Sequence, residues 1–187
     1  MRAAQSFLRT RPLADLTVEE LMLLTGHSRT VFYRHFDDLA DVVVAVLDDT
    51  GAELEGIAER WGAASADDLQ RAAEDHLAEV VDFHVRNGPL MAAISAAART
   101  DAEIEAAYFG FAQRFVDLTA KALRAAQDAG RIAPLDVEEV AVALTLMNEG
   151  YLLLRLGREP QADPERVLGV LRTLWARILS PPTPGDR

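Results

Sequence analysis

At 187 residues, half of them apolar, with no Cys and a formal net charge of −11, the chain is long enough for one medium domain or a small head on a larger body, and its core needs neither disulfides nor thiolate-bound zinc. No apolar run approaches the roughly 20 residues that span a bilayer, no secretory h-region opens the chain, and the four His lack metal-ligand spacing; the setting expected is cytoplasmic, with no membrane partner, cofactor or metal. The acidic total argues against a nucleic-acid partner, but residues 1–41 hold five Arg against six acids, which leaves −10 to the rest.

Apolar residues recur at spacings of three and four and no alternating run reads as a strand, so the expected class is all-α. The first helix covers residues 2–9 and is closed by Pro12. Thr17 followed by Glu20 forms a capping box that opens a second helix through Leu24; Gly26 permits the turn, and Ser28 caps a third helix to about Phe36. Asp37 and Asp38 precede a long fourth helix, Leu39 to Trp61. Ser65, followed by Asp67 and Asp68, opens a fifth helix to Arg86, which Asn87-Gly88-Pro89 ends. Pro89 starts a short sixth helix to Arg99, and Thr100 with Asp101 starts a seventh to about Ala129, stopped by Gly130. Asp136 starts the eighth, to about Leu156; Asp163-Pro164 starts the ninth, which ends near Leu179. The tail from Ser180 is expected to be disordered. These nine helices divide into a three-helix helix-turn-helix head, residues 1–41, and a six-helix body, residues 42–187, joined through a continuous helix.

At about 100° per residue, Arg29, Thr30, Tyr33 and Arg34 share one side of the third helix, while Phe32 and Phe36 fall on another that packs on Leu21 and Leu24. The first side suits a major groove: Arg29 and Arg34 can donate to guanine edges or phosphates, Thr30 to either, and Tyr33 and His35 to phosphate oxygens. A solvated surface face accounts for the same residues equally well.

Thr17, Glu20, Leu21, Gly26, Ser28, Arg29, Phe32, Tyr33, His35 and Phe36 stand in a register that resembles the signature of the TetR family of transcriptional regulators. That resemblance implies an all-helical homodimer that binds palindromic double-stranded operator DNA and releases it when a small molecule enters the body; Thr17, Ser28, Arg29, Thr30, Tyr33, Arg34 and His35 are the DNA-facing set it points to. The chain departs from the family pattern at Asp37, Asp38 and Leu39, where a Lys-bearing turn is usual, and at Met22, Thr25, His27 and Val31. It also starts without the basic arm of many relatives, as a truncated start would. Two acids where a phosphate contact is usual imply weaker DNA binding with a flatter salt dependence.

In the body, Tyr108, Phe111, Phe115, Leu118 and Thr119 step by three and four along one stripe, a pattern that plain core packing also produces. Thr145 and Asn148 lie one turn apart in an apolar run, and a buried amide needs partners: backbone, a dimer mate or a ligand. A closer similarity to one branch of the same family extends through Arg11 to Thr17, Leu144 to Glu149 and the region of Trp175. It implies a largely apolar pocket for an elongated lipophilic effector, with Thr145 and Asn148 as its polar groups, Trp175 near its end, and Val81, Val85, Met91 and Ile94 on its wall beside Tyr108, Phe111, Phe115 and Thr119. Val81 and Val85 stand where larger aromatics line that pocket, which implies a wider cavity unless neighbours collapse into it. His84 is read as a surface or satisfied interior residue, and Glu149 as the partner of a cationic ligand or, more ordinarily, of a dimer mate's Arg. Val137 to Leu156 and Val167 to Ile178 are apolar on more than one face, so the last two helices are expected to form a four-helix homodimer interface. Two alternatives stay open: a ligand-binding dimer of this fold without useful DNA affinity, and an enzyme, against which stands the lack of any nucleophile with base, paired-carboxylate site, phosphate loop or metal set.

Overall fold

The computed structural model describes residues 1–65 and 68–181, and among these it contains eight α-helices and no strand. In chain order they are α1 (Arg2–Leu8), α2 (Val18–Thr25), α3 (Arg29–Phe32), α4 (Leu39–Gly62), α5 (Leu69–Ala98), α6 (Ala102–Asp128), α7 (Val137–Leu156) and α8 (Pro164–Ile178), with a short 3₁₀ turn, Leu13–Asp15, between α1 and α2. No helix among the described residues is long and apolar enough to cross a membrane. The expected placement of Asp67, and the tail from residue 182 onward, lie outside the described residues.

Side-chain caps set most helix starts. Thr17 Oγ1 accepts from Glu20 N at 3.1 Å, Asp101 Oδ1 from Glu103 N and Ile104 N, Asp136 from Glu139 N and Asp163 from Glu165 N. Only half of the capping box forms at Thr17: the Glu20 carboxylate takes Arg11 Nη1 at 2.6 Å instead of turning back to the cap. Ser28 occupies the cap position of α3 without a side-chain cap bond. Gly26 closes α2 in the left-handed region, φ 70°, where the missing Cβ removes the steric penalty.

The nine expected helices become eight because α5 runs unbroken through Asn87-Gly88-Pro89. Pro89 has no N–H to offer the carbonyl four residues back, Val85 O, and a donor from far along the chain replaces it: Gln161 Nε2 reaches Val85 O at 3.1 Å and Leu156 O at 2.8 Å. The next carbonyl, Arg86 O, accepts from Arg9 Nη1 at 2.5 Å, and Arg9 Nη2 donates to Asn87 Oδ1 at 2.7 Å. Gly88 is needed for a different reason. A Cβ there would collide with the carbonyl of Leu156, so its absence lets α5 press against the end of α7.

The body is therefore five helices, α4 to α8, built around one apolar core. α6 lies against α4, α5 and α7, and α5 lies against α4, α7 and α8. Trp61, Phe83, Leu77, Leu90, Ile94 and Leu123 are fully enclosed in this core. α4 crosses from head to body without a break, and α1 fastens the head to it: Gln5 Nε2 donates to Asp49 Oδ2 at 2.8 Å, beside the Arg9 contacts to α5.

Candidate functional site

In the head, Phe32 is buried and packs its ring near Phe36, at a centroid separation of 5.7 Å. Leu21 is buried with them, but Leu24, expected to share that contact, is 57% exposed because α2 turns it outward. α3 is shorter than expected: its helical pattern stops at Phe32, and Tyr33, Arg34 and His35 continue as turns closed by bonds from His35 N and Phe36 N to Phe32 O. Ser28, Arg29, Thr30, Tyr33, Arg34 and His35 are all exposed, as is Thr17 at the start of α2. Arg29 Nη2 donates to Tyr33 Oη at 3.3 Å, so these two side chains lie along the same side of the turn. Asp38, read from the sequence as an acid beside the duplex, is the cap of α4: one carboxylate oxygen accepts from Ala40 N at 2.7 Å and Asp41 N at 3.1 Å. Asp41 in turn accepts from Asp37 N at 2.7 Å, which fixes the turn behind α3.

The body holds an internal cavity of about 80 Å³ between α4, α5, α6, α7 and α8. α6 supplies Tyr108, Phe111, Phe115 and Thr119; α7 supplies Thr145 and Asn148; α5 supplies Met91; α8 supplies Trp175. These eight residues, expected from the sequence, meet at one place. Val81, Val85 and Ile94 do not line it. Val81 and Ile94 are buried in the core, and Val85 is half-buried against it. The α5 face that does reach the cavity is His76, Val80 and His84, one turn apart each, so the expected face was displaced by one position. Leu54 and Ala58 of α4, with Leu152 and Leu153 of α7, were also missed; their i,i+4 and adjacent spacings carried no mark that separates cavity wall from ordinary core. Small valines did not widen the space. At about 80 Å³ it holds a few waters and not a drug-sized ligand; Phe111 and Phe115, edge to face 4.8 Å apart, line it from α6.

The polar groups are few and specific. Tyr108 Oη donates to Glu149 Oε1 at 2.5 Å, so the carboxylate meets an intrachain hydroxyl. Burial first, and the adjacent Glu149 charge second, push the Tyr108 hydroxyl well above the ordinary phenol range and keep it a donor. Asn148, which lines the cavity, accepts at Oδ1 from Trp175 Nε1 at 3.2 Å. His84, read as an unlikely contact, lines the cavity; its Nδ1 bonds Val80 O at 2.8 Å. Burial lowers both His84 and His76 to about 4, so both rings are neutral near pH 7. Trp61 lies edge to face with Trp175 at 5.4 Å and near-parallel to His76 at 5.8 Å, and among the described residues Trp61 Nε1 has no hydrogen-bond partner. Among the described residues no cluster of His, Cys, Asp or Glu is arranged to hold a metal ion.

Three short helices in the head are joined through the continuous α4 to a helical body that holds a cavity. Residues 73–179 match the family profile of the C-terminal domain of the transcriptional regulator EthR. The EthR regulator of Mycobacterium tuberculosis is 30% identical over 182 residues, covering 94% of this chain and 82% of its own length. Two solved structures share the fold: the TetR-family regulator PfmR of Thermus thermophilus (TM-score 0.75, 16% identity, covering 98% of this chain and 95% of that one) and SmeT, the repressor of the Stenotrophomonas maltophilia multidrug efflux pump SmeDEF (TM-score 0.71, 19% identity, 100% and 90%). The chain belongs to the TetR family of transcriptional regulators, in the branch with an EthR-type C-terminal domain, and is not an enzyme.

Proposed function

We propose that this regulator is a repressor: a homodimer that holds double-stranded operator DNA with two heads and releases it when a lipophilic small molecule opens the cavity. The DNA-facing set is Thr17, Ser28, Arg29, Thr30, Tyr33, Arg34 and His35, all of them exposed. The dimer surface is the outer side of α7 and α8, where Val142, Leu146, Leu154, Val170 and Leu174 are exposed; two-fold pairing of that surface places two heads for half-sites about one turn apart.

One contact carries the coupling. Phe111, on the cavity wall, lies with its ring against Gly51 of α4 so closely that a single added methyl would overlap it. A ligand larger than the present space must displace Phe111 or Phe115, and the ring of Phe111 has α4 behind it. α4 is also the helix that carries the head. Filling the cavity therefore pushes on the element that sets head spacing, and it shifts the population only by its affinity difference between the two states. The test is fluorescence anisotropy of a duplex from upstream of the gene, at two salt concentrations, with and without a ten-carbon alcohol. Operator binding that falls when the alcohol saturates the protein is the expected result; saturation with unchanged operator affinity would sink the coupling.

A second reading, a ligand-binding dimer with little DNA affinity, is favoured by the acids behind α3. Glu103 of α6 is raised, by desolvation first and then by Asp41 and Asp38, so negative charge gathers at the base of the head. Failure to bind the upstream duplex at low salt would select it.

A further inference from the structure

We infer that the cavity recognises a cationic amphiphile, with Glu149 as the counter-charge and the aromatic stripe of α6 as the bed for the cation and its chain. This deepens the effector reading above and rests on the cavity being the ligand site.

The Glu149 carboxylate reaches the cavity from α7 and is half-buried there. Among the described residues its side-chain hydrogen-bond partner is the Tyr108 hydroxyl at 2.5 Å, a neutral donor that satisfies one oxygen and supplies no positive charge. Among the described residues the lining contains no Lys and no Arg. The two imidazoles that share the wall, His76 and His84, are neutral near pH 7 because burial holds each at about 4, so neither offsets Glu149. The cation that acts on the Tyr108 hydroxyl is Arg99, just beyond the end of α5; it is exposed and is not part of the lining. The lining thus carries one negative charge in a mainly apolar enclosure, where a carboxylate without a cation is costly.

Ring geometry points to the same ligand class. Tyr108 and Phe111 have centroids 6.4 Å apart, and Phe111 and Phe115 4.8 Å apart, so three π-faces follow the carboxylate along α6. An ammonium paired with Glu149 beside Tyr108 gains both the ion pair and the ring quadrupole, while its hydrocarbon chain displaces Phe111 or Phe115 and takes the apolar space so opened. A neutral chain of equal length gains only the last, and a carboxylate head group meets repulsion.

Decylamine, decanol and decanoate separate these cases, with one chain and three charges. The two Trp of the protein report occupancy directly, since Trp175 lines the cavity and Trp61 touches it edge to face. In a tryptophan-fluorescence titration at neutral pH, decylamine binds at least about tenfold tighter than decanol, and decanoate binds weakest. In Glu149→Gln the ratio of amine to alcohol affinity falls to about one. In Tyr108→Phe, which keeps the carboxylate and removes its protein donor, the ratio stays at or above that of the unaltered chain. Equal binding of amine and alcohol, or an amine preference that survives Glu149→Gln, overturns the charge assignment and leaves the cavity reading intact. No binding by any of the three overturns both.

Discussion

Gln161 is expected to be worth more to this protein than an exposed-loop glutamine ordinarily is, and the reason can be measured against Pro89. Gln161 Nε2 donates to two carbonyls, Val85 O at 3.1 Å and Leu156 O at 2.8 Å. Val85 O is the one that Pro89 deprives of its helical partner. Gln161→Ala removes both bonds at a part-buried site; at about 1 kcal/mol for each bond, and more if a carbonyl stays dry, the loss is about 2 kcal/mol. Pro89→Ala restores an N–H to α5 and removes the ring; since the fold already accommodates the proline, a gain of about 1 kcal/mol is expected. With that N–H present, Gln161 has one necessary acceptor instead of two, so Gln161→Ala in the Pro89→Ala background costs about 1 kcal/mol less than alone. Urea unfolding of the four proteins of this cycle, at one protein concentration so that any dimer linkage is constant, gives that coupling directly. A coupling within ~0.3 kcal/mol of zero, the usual scatter of independent sites, would refute the account of why α5 continues.

Gly51→Ala sets a gain of about 1 kcal/mol from helix propensity against about 1–3 kcal/mol of overpacking on Phe111. The ring is expected to rotate into the cavity, leaving a melting-temperature change within a few degrees and weakening decanol binding about tenfold; tighter decanol binding would show that Phe111 is not the movable wall. Asp38→Ala removes the cap of α4 at a cost of about 1 kcal/mol, ~2–4 °C in Tm for a chain of this size, while deleting a negative charge behind the reading face is expected to tighten operator binding; an unchanged Kd at low salt would remove the acidic turn as the source of weak binding. Leu146→Lys on the outer face of α7, where Leu146 is 57% exposed, is expected to yield monomers by light scattering, and an undisturbed dimer would place the interface elsewhere. His76 and His84 bind protons at about 4 when folded and about 6.5 when unfolded, so the unfolded chain protonates first. Their contribution is complete above pH 6.5 and falls by up to about 1.4 kcal/mol per pH unit for each as pH drops toward 4; stability flat from pH 7 to 4.5 in a thermal-shift series would contradict the neutral, buried assignment.

Much of the architecture was legible in the chain because it is locally encoded. Thr17, Asp101, Asp136 and Asp163 satisfy the free N–H groups of their own first turns, and Gly26 closes α2 without a neighbour's help. Such signals act over three or four residues, so reading them needs no knowledge of the fold. The stripe Tyr108, Phe111, Phe115 and Thr119 is local in the same sense, since helical periodicity alone puts those side chains on one face.

What failed was non-local. Asn87-Gly88-Pro89 carries a strong stop, and it was overruled by Gln161 and Arg9, donors more than 70 residues away in opposite directions along the chain. Which face of α5 meets the cavity depends on how that helix packs against its neighbours, and the wall is formed by Val80 and His84 where Val81 and Val85 were expected. The volume of the cavity was not legible either, since Val81 and Val85 do not line it and seventeen residues from five helices do. By itself, then, the sequence determined the helical class, the caps at Thr17, Asp101, Asp136 and Asp163 and the aromatic stripe, because capping and periodicity are energies of adjacent turns. Only the tertiary structure decided that α5 runs on through Pro89, and that Glu149 faces Tyr108 inside an apolar space, because these depend on donors and walls that the chain brings together only when it is packed.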